Sequence, residues 1–262
     1  MRVRLGAVSY LNTRPLVDGL DPARFDVRFD VPSRCAALLH AGEIDGGVIP
    51  SIEYARGDYV IVPGVAIASD GPVASVAVFS SRPVGGIRSI ALDTSSRTSV
   101  ALLKVLCRER FGIAPEFVHE GPDLDHMLAR CDAALLIGDP ALWTDHAARG
   151  LQKIDLGAEW TAHAGLPFVW AFWAGRPGAI GAREAVALAE ARDRGRDATA
   201  RIAHQYAPGD PERAARAADY LRTNVHFDLG PRHEQALTRF FASAARLGLI
   251  DQAPPLRFVA LD

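Results

Sequence analysis

The segment Glu43-Ile44-Asp45-Gly46-Gly47-Val48-Ile49 returns in altered form at Arg130-Cys131-Asp132-Ala133-Ala134-Leu135-Leu136. In both places it follows a short helix-periodic stretch and runs into an apolar strand. Strands that alternate with helices in this way need crossover connections, and crossovers produce parallel sheets covered by helices. Two copies of the unit predict two similar α/β halves in one chain.

The order of elements supports that reading. Val3, Leu5 and Ala7 alternate as a half-buried first strand, and residues 25–31 alternate as a second. Ser33 is expected to cap a helix through Cys35, Ala37, Leu38 and Leu39 that Gly42 ends. Residues 46–49 form a third strand, closed by Pro50 and Ser51 as the next helix starts. Further short strands at 59–62 and 65–68 lead to Ser69-Asp70-Gly71-Pro72, a turn by composition. A long strand at 73–81 opens the second series, whose strands are expected at 87–92, 116–118 and 133–137. The aromatic run at 167–175 is long enough to carry the chain back. With 73–81 and 167–175 as paired crossover segments, lobe one is 1–75 plus 176–262 and lobe two is 76–175. Alanine- and leucine-rich stretches at 182–206, 210–223 and 231–247 read as helices covering lobe one.

Composition excludes several classes. A net charge of −2 with mixed signs lacks the basic footprint of a nucleic-acid or anionic-membrane binder, so neither partner is expected. Cys35, Cys107 and Cys131 are odd in number, far apart and set in apolar surroundings, as reduced thiols in a cytoplasmic protein are. No secretory h-region and no apolar run of membrane-spanning length occurs. The 8 histidines lack ligand spacing, and no paired-cysteine motif is present, so no metal is expected. His119, Asp123, Asp125 and His126 read as a polar loop and helix start. Dinucleotide and Walker glycine patterns are missing, as is a nucleophile elbow, so neither a nucleotide cofactor nor hydrolase chemistry is expected.

Two strand-to-helix loops concentrate polar groups at what must be the carboxyl edge of a sheet, where open α/β folds bind ligands. Ser9, Tyr10, Asn12 and Arg14 offer hydroxyls, an amide and a planar cation in the first. In the second, Asp93-Thr94-Ser95-Ser96-Arg97-Thr98-Ser99 joins several hydroxyls and a guanidinium to the free amides of a helix start. That combination makes a carboxylate cradle at Ser96, Arg97 and Thr98. Ser51, at a third junction of this type, is placed to share one crevice with Asn12.

The run VSYLNTRPL at 8–16 resembles the chorismate dehydratase family of the futalosine route to menaquinone. So do IPSIEY at 49–54, IASDGPVASV at 67–76, LDTSSRTSVALL at 92–103, LIGDPAL at 136–142 and GLPFVWAFWAG at 165–175. The likeness extends in order over the first two thirds of the chain. It implies a two-lobed, periplasmic-binding-protein-like α/β fold of type II with two crossover strands. It also implies a hydro-lyase that converts the dicarboxylate chorismate to 3-[(1-carboxyvinyl)oxy]benzoate and water without a cofactor. The C3 proton and the C4 hydroxyl would leave, with Asn12 and Ser75 as the catalytic side chains. Ser9, Tyr10, Arg14, Ser51, Gly71, Ser96, Arg97, Thr98, Gly138 and Asp139 are the expected substrate-binding residues. Glu53, Asp70, Asp93 and Asp139 are the carboxylates within the motifs. Each also has a structural reading: helix surface for Glu53, turn for Asp70, and caps or backbone ties for the other two. The substrate's own enolpyruvyl carboxylate is then the expected proton acceptor, with positioning as the protein's main contribution. A small-carboxylate solute-binding or ligand-sensing protein shares the fold and stands as the alternative. The later pathway enzyme dihydroxynaphthoate synthase also shares it, but the opening motif is the dehydratase pattern. Oligomeric state stays open.

Overall fold

The computed structural model describes residues 2–261. The alternation of Val3, Leu5 and Ala7 forms β1 (Val3–Val8), flanked in parallel by β2 (Phe25–Asp30) and β3 (Gly46–Pro50). Beyond β3 lie β10 (Phe168–Gly175) and then β4 (Val60–Ser69), completing a five-stranded sheet of order β2-β1-β3-β10-β4. A second five-stranded sheet repeats the plan. Its strands are β5 (Val76–Ser80), β6 (Ser89–Asp93), β7 (Glu116–Glu120), β8 (Ala133–Ile137) and β9 (Gln152–Asp155), in the order β7-β6-β8-β5-β9. The two echoed segments end in β3 and β8, which occupy the same place in their sheets.

Each sheet takes as its fourth strand the one that has just crossed from the other lobe. Thus β10 runs antiparallel to β3 and β4, and β5 runs antiparallel to β8 and β9. This moves the expected second boundary. Residues 168–175, assigned to lobe two from sequence, hydrogen-bond inside the first sheet, so the chain returns at 165–167. Likewise, 73–81 is not one strand. Residues 70–75 are irregular, with Ala74 at φ +62°, and regular pairing begins only at Val76. The strands expected at 59–62 and 65–68 are one strand, β4, which stays paired through register shifts against β10.

Ten α-helices connect and cover the sheets among the described residues. In the first half are α1 (Arg14–Val17) and α2 (Pro32–His40). The second half holds α3 (Thr98–Leu106), α4 (Leu124–Arg130), α5 (Gly138–Trp143) and α6 (Leu156–Ala164). The chain ends with α7 (Ala182–Asp197), α8 (Thr199–Tyr206), α9 (Pro211–Thr223) and α10 (Pro231–Arg246). Ser33 does not cap α2, because Pro32 already occupies its first turn, where a missing N–H costs nothing. Asp123 does cap α4, accepting from Asp125 and His126 N–H groups. The expected helix at 182–206 breaks at Ala198 into α7 and α8.

These last helices do not cover lobe one alone. α10 packs on both β10 and α3, while Tyr206 at the end of α8 stacks on Trp143 of α5, ring centroids 6.1 Å apart. An aromatic cluster pins the return crossover. Trp160 of α6 meets Phe168 of β10 at 5.3 Å, Phe168 meets Phe240 of α10 at 5.0 Å, and Trp160 Nε1 donates to the Pro167 carbonyl. All three rings are fully buried, and each is of a kind whose truncation costs about 3–5 kcal/mol. Against α1, Gly195 is required by contact: a Cβ there would lie 2.1 Å from the Pro15 carbonyl oxygen. No helix of the described residues is long and apolar enough to cross a membrane.

Candidate functional site

The two sheets face each other across a cleft that holds a cavity of about 60 Å³. Both strand-to-helix loops picked out from sequence reach it. From lobe one come Tyr10 and Asn12 of the turn after β1; from lobe two come Ser96 and Thr98 at the start of α3 and Gly138 after β8. Ser75 enters from the first crossover, and Trp170 of β10 closes the floor. The carboxyl edges of both sheets therefore meet here, as the topology of open α/β sheets requires.

Each polar group is held by its neighbours. Thr98 Oγ1 accepts the Ile52 N–H at 3.1 Å and lies 3.4 Å from Ser51 Oγ, which itself donates to the Val169 carbonyl at 2.8 Å. Ser51 thus stands behind the cleft wall and ties Thr98 across the gap. Ser96 Oγ accepts from the Ser99 N–H, which leaves its own proton free. Asn12 Oδ1 accepts from Thr13 Oγ1 at 3.4 Å. Ser95 donates to Asp93 Oδ1 at 2.6 Å, so the Tyr10 hydroxyl, 3.4 Å from Ser95 Oγ, is the donor of that pair. Burial raises the Tyr10 phenol above its ordinary value, keeping it protonated. The Tyr10 ring packs on Gly138, where a Cβ would come within 2.5 Å of Cδ2; with φ +61°, this position needs glycine twice over.

Several expected binding residues are engaged elsewhere. The Arg97 guanidinium is not among the residues that line the cleft; its Nη1 donates to Glu53 Oε2 at 2.6 Å. Glu53 is not on a helix surface either. It is fully buried, and a buried carboxylate must be paired and hydrogen-bonded, here by the Arg97 guanidinium, by His40 Nε2 at 2.9 Å and by Arg56 at 3.3 Å. Arg14 is exposed and stacks on the Phe29 ring at 5.0 Å, and Ser9 is exposed outside the cleft lining. Gly71, at φ +103°, shapes the crossover turn and donates its N–H to Thr161 Oγ1. Both Asp139 oxygens are taken, one by the Leu11 N–H at 3.1 Å and the other by the Tyr206 hydroxyl at 2.9 Å. Burial pushes the Asp139 carboxyl up, and these donors oppose the rise. It acts as a backbone tie that fixes the Asn12 turn from the opposite lobe. Asp70 sits in the turn and pairs with Arg232 at 3.2 Å, while Asp93 is fully buried and ties its own loop.

Other residues around the site have no motif. Tyr220 of α9 is buried and donates to Ser75 Oγ at 2.8 Å. Asp155 accepts from the N–H groups of Val73 and Ala74, at 3.0 and 2.7 Å, while also capping α6. Lys153 Nζ donates to the Ala74 carbonyl at 2.6 Å. Together these two charges hold Ala74 in a left-handed conformation that costs a residue with a Cβ about 1 kcal/mol. An aspartate before a helix predicts a cap, but nothing local in the sequence announces that the same carboxylate also holds a crossover more than eighty residues away.

Solved structures share this architecture. A protein from Archaeoglobus fulgidus superposes with a TM-score of 0.70 at 19% identity, covering 95% of this chain and 98% of that one. The periplasmic aliphatic sulphonate binding protein SsuA from Escherichia coli gives 0.67 at 18% identity, covering 99% and 94%. A Candida albicans gene product, described as exhibiting the generic periplasmic binding protein structural fold, gives 0.68 at 11% identity, covering 100% and 98%. Among characterised relatives, a chorismate dehydratase of Thermus thermophilus is 33% identical over 189 residues, covering 66% of this chain and 69% of that protein. A chorismate dehydratase of Campylobacter jejuni is 33% identical over 162 residues, 62% of this chain and 58% of that protein. A family model described as menaquinone biosynthesis matches residues 3–246, and the chain, folded as a two-lobed periplasmic-binding-protein-like α/β protein, belongs to that menaquinone biosynthesis family.

Proposed function

We propose that this chain is a chorismate dehydratase, a hydro-lyase that forms 3-[(1-carboxyvinyl)oxy]benzoate and water. The observation that carries the reading, beside the named relatives, is the chemistry of the cleft wall. Among the described residues that line it there are amide and hydroxyl groups but no Asp, Glu, His, Lys or Arg. A general base from the protein would have to be one of those absent types or an activated phenol, and burial keeps the Tyr10 phenol protonated. The base is then the substrate's own enolpyruvyl carboxylate.

The C3–H bond breaks and its proton passes to that carboxylate. Charge left on the ring spreads through the C1–C2 double bond to the ring carboxylate, which the first-turn amides of α3 and the hydroxyls of Ser96 and Thr98 receive. The C4–O bond then breaks, the leaving hydroxide takes up the proton as water, and the ring becomes aromatic. Asn12 and Ser75 hold the enolpyruvyl group and the departing hydroxyl. Enclosure by neutral donors suits this chemistry, since a carboxylate stripped of water and left without a cation is a stronger base.

Incubation with chorismate, followed by ultraviolet absorbance and mass analysis, tests the reading. The expected result is a new aromatic absorbance and a product lighter by one water. Asn12→Ala and Ser75→Ala are each expected to lower kcat by about a hundredfold or more with an unchanged circular dichroism spectrum. Binding of chorismate without turnover by the wild type would leave a carboxylate-binding protein instead. Loss of activity in Asp139→Asn beside a mild effect in Asn12→Ala would overturn the assignment of roles.

A further inference from the structure

Tyr220 comes from α9, far along the chain from every motif that forms the cleft, yet its hydroxyl ends 2.8 Å from Ser75 Oγ. The ring is 3% exposed, and the Asn12 side chain lies against the same hydroxyl. One buried phenol therefore touches both side chains given chemical roles above. A phenol has a single proton, and here it is donated to Ser75. Burial holds the phenol well above its ordinary value, so the proton stays on it across the working pH range.

Ser75 is otherwise fixed by its backbone. Its N–H donates to the Val73 carbonyl at 2.7 Å, and its carbonyl accepts the Gly138 N–H at 2.7 Å, locking the crossover to the start of α5. With Oγ occupied as an acceptor, the remaining freedom of Ser75 is the direction of its own O–H bond, and the side chain lines the cleft. We propose that Tyr220 is a positioning residue for the dehydration: by donating to Ser75 Oγ it turns the serine proton towards the substrate's leaving hydroxyl. This rests on the dehydratase reading and adds to it a part for α9. Without the phenol, Ser75 can spend its proton on neighbouring acceptors, and the transition state loses a donor that was already aimed.

Steady-state kinetics on chorismate with Tyr220→Phe, Ser75→Ala and the double variant tests this. The phenylalanine keeps the ring and its packing. Tyr220→Phe is expected to lower kcat by about tenfold to a hundredfold with KM changed less than about threefold. The double variant is expected to turn over no more slowly than Ser75→Ala alone, because Tyr220 acts through Ser75. Residual rates are read by long incubation and chromatographic detection of product. A wild type that does not dehydrate chorismate overturns the dehydratase reading and this assignment together. An active wild type with Tyr220→Phe within twofold of it, or with the two losses multiplying in the double variant, overturns this assignment alone. So does a Tyr220→Phe protein whose circular dichroism shows it unfolded, since the hydroxyl would then be a structural tie; binding of the product to Ser75→Ala checks separately that the cleft survives.

Discussion

Arg97 donates to Glu53 Oε2 at 2.6 Å, joining the start of α3 in one lobe to a fully buried carboxylate in the other. The guanidinium is itself more than a third exposed, at 37%, so the pair sits at the edge of the interface with its acid end inside. Thr98, the next residue, bonds the Ile52 N–H from the same helix start. Together they make a latch that holds the lobes closed around the cleft.

Arg97→Ala is accordingly expected to loosen closure more than to damage chemistry. Glu53 keeps His40 and Arg56, so the cost is that of one charge-assisted hydrogen bond, about 1–3 kcal/mol of stability. KM for chorismate is expected to rise while kcat falls little. Thermal melts and steady-state kinetics check both.

The docking of α10 is expected to be acid-sensitive. Burial pulls the Glu109 carboxyl up, but hydrogen bonds from Arg246, His163 and Ser243 outweigh it and hold the group below the usual carboxylate range. A depressed carboxylate stabilises the folded chain above its ordinary value, and this contribution is lost as pH falls through the depressed one. Glu109→Gln is expected to be about 1 kcal/mol less stable than wild type at neutral pH, the gap closing at acid pH. Urea unfolding at several pH values measures it; a gap that does not change with pH would contradict the assignment.

Gly195 carries α7 against α1. A methyl group there meets the Pro15 backbone, which no rotamer change relieves, so Gly195→Ala is expected to cost about 1–3 kcal/mol despite the better helix propensity of alanine. Because α1 follows directly on the Asn12 turn, turnover is expected to fall as well. Melting temperature and kcat of the variant provide the check.

The cysteines are expected to be inert. All three are free and buried, and burial pushes the Cys35 and Cys107 thiols up to about 12. At neutral pH neither supplies thiolate, so a thiol-specific reagent is expected to label the native protein slowly and the urea-unfolded protein promptly. Mass spectrometry of both forms reads the difference.

The sequence by itself determined the repeated strand-helix-strand plan, because hydrophobic period and cap residues act within a few positions of one another. It picked out the loops carrying Tyr10, Asn12, Ser96 and Thr98, which meet at the cleft, whereas Ser75, read as part of a long strand, lies in the irregular crossover before β5. Tertiary structure decided what those loops do with their charges. Arg97 and Arg14 look alike as free guanidiniums, yet one is drawn to a buried carboxylate from the other lobe and the other lies over Phe29. The sheet to which 168–175 belongs was likewise settled by pairing with strands more than ninety residues distant. Tyr220 reads locally as one more apolar-face residue of an amphipathic helix. Only packing α9 over the crossover brings its hydroxyl to Ser75, since a hydrogen bond is set by where two atoms end up and local pattern carries no record of that.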